Sequence, residues 1–284
     1  MAEGLRQLGI VGGGRVASAL AASLADRLDV LVHARRPERL RLSPQAPAPT
    51  LVSDLADLAA CPVLVVAVSD GAIPEVASAL ARALGGDARP GNAATTVLHT
   101  SGATTGARSL APLLDVPRME VGSMHPLLAV PEAATPGYFT HAPFVLEAGG
   151  ARALADARAL VGLLEGAPIE LPDGSDGTKA RYHALATMVA TGTVTLVDRA
   201  AAALAGEEDE AGRAAFREAF GRLALTAAVN VSRGPGAEVL TGPLARGDGE
   251  TLELHDRVLD GHGVAALSDA IRRAARGMLD EGGA

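Results

Sequence analysis

The only lysine of the 284-residue chain lies in Gly177-Thr-Lys-Ala-Arg-Tyr-His183, and the other long basic side chains are all arginine. Lysine can lose and regain a proton where arginine in practice cannot, so the exception at Lys179 points to proton handling. On a helix Lys179 and His183 stand one turn apart with Tyr182 beside them, which makes these three the candidate catalytic group. Lys179 is the expected general acid for a nascent alkoxide, or the base in the reverse direction, with His183 orienting it or sharing the proton. Partial burial and the positive end of the helix dipole would lower its pKa from the ordinary ~10.4 towards neutrality.

A second chemistry is written near the N-terminus. Gly12-Gly13-Gly14-Arg15-Val16-Ala17 follows the apolar run Leu8–Val11 and opens a helical pattern from Ala19 to Leu28. This is G-x-G-x-x-A between a strand and a helix, the setting in which such a loop holds a dinucleotide pyrophosphate on a helix N-terminus. The next strand, Val30–His33, ends in Ala34-Arg35-Arg36, where an NAD-preferring fold would carry an acidic residue for the ribose hydroxyls. Two guanidiniums there suit a 2′-phosphate, so the expected cofactor is NADP, as NADPH. Val68, Ser69 and Asp70 close the apolar run from Val63, and Thr100 follows the strand Thr96–His99; these complete the expected cofactor contacts. Asp70 is expected to cap the helix from Ile73 to Leu84.

His99, Ser101, Gly102, Ser123 and His125 follow or end strands, and strand carboxyl ends are where such sheets bind ligands. Ser101, Gly102, Ser123 and His125 are therefore candidate substrate contacts. Thr241 and Arg246, in the Gly/Pro-rich stretch 234–248, are two more, and Asp248 is placed to cap the next helix.

These residues need a sheet and a helical partner to position them. Apolar strands alternate with helical patterns up to Ile169–Leu171, and from Asp176 onward only helical patterns remain. The expected fold is α/β: a Rossmann-like, mostly parallel sheet domain over 1–172 and an all-α domain over 173–284 for substrate and dimerisation. Ala184–Val197 carries no charge, so the central helix is expected to be sheathed in protein on nearly every side. Val189–Val197 is β-branched enough to read as a strand, but the apolar run exceeds usual strand length. Fourteen apolar residues are too few for a membrane span, and one small domain is unsuited to cover such a helix; a homodimer is expected.

Composition narrows the partners. A formal charge of −8 and 2% aromatics disfavour nucleic acid and leave a small-molecule substrate as the expected ligand. Cys61 is the single cysteine, so no internal disulfide is possible, and with no signal-peptide pattern the expected location is the cytoplasm. No histidine or cysteine spacing suggests a metal.

Gly12-Gly-Gly14, His99-Thr-Ser-Gly102, Gly122-Ser-Met-His-Pro126, Tyr182-His183 and Leu240-Thr-Gly-Pro-Leu-Ala-Arg-Gly-Asp248 together resemble a family of Rossmann-like proteins with a conserved C-terminal helical domain of unknown function. That family is similar to the superfamily of 6-phosphogluconate dehydrogenase, 3-hydroxyisobutyrate dehydrogenase and pyrroline-5-carboxylate reductase. The resemblance implies an NAD(P) domain joined to a dimerising helical one, and a catalytic lysine opening the first long helix of the second domain, at Lys179. It also implies that Arg246 of one subunit approaches the other's cleft. The chain departs from those dehydrogenases at Ser123-Met-His-Pro126, which replaces their glycine-rich substrate loop, and at the partner positions Tyr182 and His183. The implied activity is hydride transfer between nicotinamide and a small carbonyl or hydroxy acid, with imine reduction or non-catalytic dinucleotide sensing as alternatives.

Overall fold

The computed structural model describes residues 5–85, 94–133, 135–206, 209–260 and 263–282. Two compact units divide the chain, Met1–Ala186 and Thr187–Ala284. The first turns of the long central helix thus go with the sheet, beyond the 172/173 boundary read from the sequence.

The sheet unit contains β1 (Gln7–Val11), β2 (Asp29–His33), β3 (Thr50–Val52), β4 (Val63–Val66), β5 (Thr95–His99), β6 (Met119–Pro126), β7 (Pro143–Ala148) and β8 (Ala167–Glu170). Its helices are α1 (Arg15–Leu24), α2 (Ile73–Leu84), the single turn α3 (Gly106–Ser109) and α4 (Ala151–Leu163). The strand order is β3-β2-β1-β4-β5-β6-β7-β8. All neighbours are parallel except β6 and β7, which run antiparallel. Chain order reverses between β1 and β4, and a crevice opens there beyond the strand ends.

The apolar strand runs are explained by burial on both faces. Leu8, Ile10, Val30, Val32, Val63 and Val65 pack with Leu20 and Leu24 of α1 and Leu160 of α4. Val11, Leu64, Val66, Val97 and Val121 pack on the other face with Ile73, Ala77 and Leu80 of α2. Alternation sends successive residues to opposite faces, so both sets must be apolar. The single cysteine belongs to the second set: Cys61 is buried, and burial pushes its thiol up to about 11, away from any nucleophile.

Helix α5 (Asp176–Ala205) crosses from the first unit into the second, which continues with α6 (Glu210–Val231), the single turn α7 (Gly236–Val239), α8 (Gly249–Leu259) and α9 (Ala265–Gly282). Val189–Val197 is helical, not a strand. Asp248 caps α8 as expected, accepting from Thr251 N at 3.2 Å and Thr251 Oγ1 at 2.8 Å. Among the described residues of one chain the expected protein sheath around α5 is absent: Met188, Val189 and Val194 are 62%, 65% and 70% exposed. The apolar run of fourteen residues also sits inside a thirty-residue helix, which by length and mean hydropathy (1.2) is able to cross a membrane.

Candidate active site

The glycine loop after β1 forms one wall of a cleft of about 880 Å³, lined by Gly12, Gly13, Gly14, Arg15, Val16, Arg35, Arg36, Val68, Ser69 and Thr100. The first glycine is required on two counts. Gly12 has φ 143°, and a Cβ there would lie 2.2 Å from the carbonyl oxygen of Ala67. Its N–H extends the ladder to His33 O at 2.9 Å, while Ala67 N reaches Val11 O at 2.8 Å, so β1 and β4 meet at the mouth of the cleft. At Gly14 a Cβ would meet nothing within 4 Å, which leaves the backbone open to a phosphate at the start of α1.

Every expected cofactor residue lines this cleft except Asp70. Nor does Asp70 cap α2, whose N-cap is Ala72 with no side-chain bond. Asp70 instead lies close enough to His125 to favour its charged form. The sequence reading missed Arg39, Glu75 and Arg82, which also line the cleft. Glu75 stands 3.9 Å from Arg35, both well exposed. An acidic residue is thus present, supplied by α2 rather than by the end of β2.

The second group of residues converges where β5, β6 and the start of α5 meet. Asp173 accepts from Ser175 N at 2.9 Å and Thr178 Oγ1 at 3.0 Å, and Ser175 Oγ accepts from Thr178 N at 3.2 Å, which fixes where α5 begins. Asp176 accepts from Thr105 Oγ1 at 2.8 Å and ties that start to the loop after β5. Helical spacing then turns Lys179, Tyr182 and His183 towards β6, whose Ser123 and His125 share one face. Tyr182 Oη and His125 Nδ1 are 2.6 Å apart, and the His125 and His183 rings pack edge to face with centroids 5.7 Å apart. Gly102 makes room for both: a Cβ there would lie 2.5 Å from His183 Cδ2 and 3.0 Å from His125 Nε2.

Lys179 is 0% exposed. Its Nζ donates to Ser123 Oγ and lies 4.0 Å from Glu147 Oε2. Ser123 Oγ donates onward to Glu147 Oε2 at 3.1 Å, and the same oxygen accepts from Gly106 N at 2.9 Å. A proton leaving Lys179 therefore goes first to Ser123, not to a molecule in solvent. Burial pushes Lys179 down to about 8, with Glu147 acting in the opposite sense.

His99, Ser123 and Glu147 form one row across three strands, since His99 pairs with Ser123 and Ser123 with Glu147. His99 is interior rather than facing a crevice: Nδ1 accepts from Ser101 N at 3.1 Å, and Nε2 makes no well-formed hydrogen bond, with the Thr105 backbone as its polar neighbour. Ser101 and Ser123, expected as substrate contacts, are likewise buried, and Ser101 Oγ accepts from Ala103 N at 3.1 Å. Their hydroxyls organise the floor of the site.

Burial, then the charges of His183 and Lys179, push His125 down to about 4. Burial pushes Tyr182 up to about 12. Both side chains are therefore neutral at pH 7, which makes Tyr182 the donor to Nδ1 and leaves the His125 proton on Nε2. Thr241 and Arg246 lie in the helical unit before α8, both exposed. Among the described residues no cluster of His, Cys, Asp or Glu could hold a metal ion.

Residues 7–88 match the family model described as NADP oxidoreductase, coenzyme F420-dependent, and residues 142–273 match a domain of unknown function, DUF2520. No curated protein matches the chain. Among solved structures, a Thermotoga maritima protein is similar at TM-score 0.66 and 19% identity, covering 98% of this chain and 100% of its own. A pyrroline-5-carboxylate reductase from Coxiella burnetii is similar at TM-score 0.61 and 16% identity, over 98% of each chain. An imine reductase from Myxococcus stipitatus, in complex with NADP+, is similar at TM-score 0.59 and 15% identity, over 97% of this chain and 95% of that one. At these identities the likeness is one of fold.

Proposed function

We propose that this chain, which joins an NADP-oxidoreductase domain to a DUF2520 domain, is an NADP-dependent oxidoreductase acting on a small carbonyl or hydroxy-acid substrate. One observation carries the reading. Thr100 lines the dinucleotide cleft, and two residues later Gly102 lies against His125 and His183, so one short loop after β5 serves both the cleft and a pair of proton-handling side chains.

Bound NADPH supplies the hydride, and the protein supplies alignment and a proton. The residues of the cleft fit that cofactor: the glycine loop would take the pyrophosphate, and the guanidiniums of Arg35 and Arg36 would take the 2′-phosphate. In this reading the group that meets the substrate is His125, not Lys179. His125 Nε2–H protonates the oxygen as the carbonyl carbon is reduced, and Tyr182 Oη–H reloads the ring at Nδ1. The cycle closes when solvent returns a proton to Nε2 and the Nδ1 proton passes back to Tyr182 Oη, restoring both starting groups.

The test is a screen of small 2-oxo acids, hydroxy acids and cyclic imines, followed by NADPH absorbance. His125→Gln should lower turnover by about 10² to 10⁴ with NADPH affinity unchanged. Replacing Arg35 and Arg36 with Ala should weaken NADPH binding and spare NADH. Equal affinity of the unmodified protein for the two cofactors would remove the phosphate assignment. Tight NADPH binding without oxidation by any substrate would favour a sensor. Cyclic imines are the first alternative, because imine and pyrroline-carboxylate reductases share the fold.

A further inference from the structure

The row His99–Ser123–Glu147 places a carboxylate in the buried part of the sheet, and nothing in the proton path from Tyr182 to His125 uses it. Glu147 is nevertheless engaged through Oε2. That oxygen accepts from Ser123 Oγ and from Gly106 N, and Lys179 Nζ lies 4.0 Å away. A lone ammonium in such a place would cost several kcal/mol, so burying the two charges together, bridged by a hydroxyl, is what makes Lys179 tolerable there.

We propose that Glu147 is a positioning residue: through Ser123 it holds Lys179 as a buried ammonium against the strand that presents His125, whose Nε2 proton the reaction uses. The inference rests on His125 as the proton donor described above.

The groups facing Lys179 are few. From β5 comes His99, from β6 Ser123 and His125, from β7 Glu147, and on its own helix Asp176, Tyr182 and His183. The His99 and His125 rings both feel the lysine charge in the sense that opposes protonation. Glu147 is the group that works to keep the lysine charged. Arginine at 179 would need a larger space and a planar set of acceptors. Ser123 offers one oxygen.

Because Lys179 is the only lysine, protein labelled with 13C,15N-lysine gives one side-chain signal, readable whether or not a substrate is known. In the unmodified protein the Lys179 Cε signal should titrate near 8. In Glu147→Gln, which keeps the shape and an acceptor for Ser123, the midpoint should fall by about one pH unit or more, a tenfold loss of proton affinity. Glu147→Asp should move it less. With a substrate in hand, the alkaline limb of kcat/KM should move down with the lysine midpoint while NADPH affinity stays constant. A midpoint below neutral pH in the unmodified protein, which would leave Lys179 an uncharged amine, overturns the proposal. So does an unmoved midpoint in Glu147→Gln or, should that variant not fold, in Glu147→Asp. A rate loss uniform across pH would show a packing role and overturn it too. If no substrate turns over but the midpoints move as stated, the oxidoreductase reading fails and the Glu147–Lys179 unit stands.

Discussion

His99 brings an imidazole into the interior of the sheet, where burial and the Lys179 charge push it down from 6.5 to about 4. The folded state therefore prefers the neutral ring. Its contribution is complete above pH 6.5 and is lost as pH falls towards 4, about 3 kcal/mol over that window. His99→Asn retains an acceptor for Ser101 N and removes the titration. Its unfolding midpoint should fall less between pH 7 and pH 4.5 than that of the unmodified protein; parallel losses would show that other groups carry the acid sensitivity. The same scale shows what could be read in the chain. Lys179, Tyr182 and His183 were legible from type and helical spacing, and Ser123 and His125 from their place at the end of a strand. Glu147 was not, because Leu146-Glu-Ala148 reads as ordinary strand alternation. Only the antiparallel register of β7 on β6 brings it beside Ser123. Asp70 does not cap α2 because it opens a 3-10 turn, Asp70–Ala72, that runs straight into the helix and puts Ala72 at the capping position.

Among the elements, those with a strong period were legible and those held by close approach were not. The buried strands β1, β4 and β5 announce themselves as apolar runs, whereas β3 is a three-residue edge with Leu51 exposed, and no pattern marks it. The turn α3 depends on two glycines far apart in sequence. A Cβ on Gly106 would meet the Gly122 backbone at 2.5 to 2.8 Å, so α3 presses directly on β6, and that contact delivers Gly106 N to Glu147. Gly106→Ala must push α3 away and is expected to cost about 1–3 kcal/mol, read as a lowered denaturant midpoint. Gly162→Ala is the control. It lies in α4 with nothing within 4 Å of the new methyl, and should stabilise by about 0.5–1 kcal/mol through helix propensity. Equal effects from the two glycines would show that the α3–β6 contact is not tight.

For the whole molecule, the decisive contrast is between a sheet unit with a core and a helical unit without one. Of the fully buried apolar residues among those described, Ala201 alone lies beyond residue 186. Leu185, Met188, Val189 and Leu196 fall on one face of α5 by helical spacing, and all are exposed, as are Leu223, Leu225, Val229 and Val231 of α6. A helix face of this kind must be buried against something, at ~1.5–3 kcal/mol for each large side chain covered. The uncharged stretch of α5 and its need for cover from a second copy were legible in the sequence; what was not legible is that α6 leaves large apolar side chains uncovered as well. We propose that a second copy provides the cover, the isologous pairing in which one apolar patch meets its own image. Light scattering at micromolar concentration should give twice the 28.6 kDa of one chain. Val189→Asp combined with Met188→Glu should shift the protein to monomer and lower its melting temperature by several degrees, because the same burial that dimerises the unit also completes its core. A monomer for the unmodified protein in aqueous buffer would reject the dimer, and association with lipid vesicles instead of self-association would assign the exposed face of α5 to a bilayer.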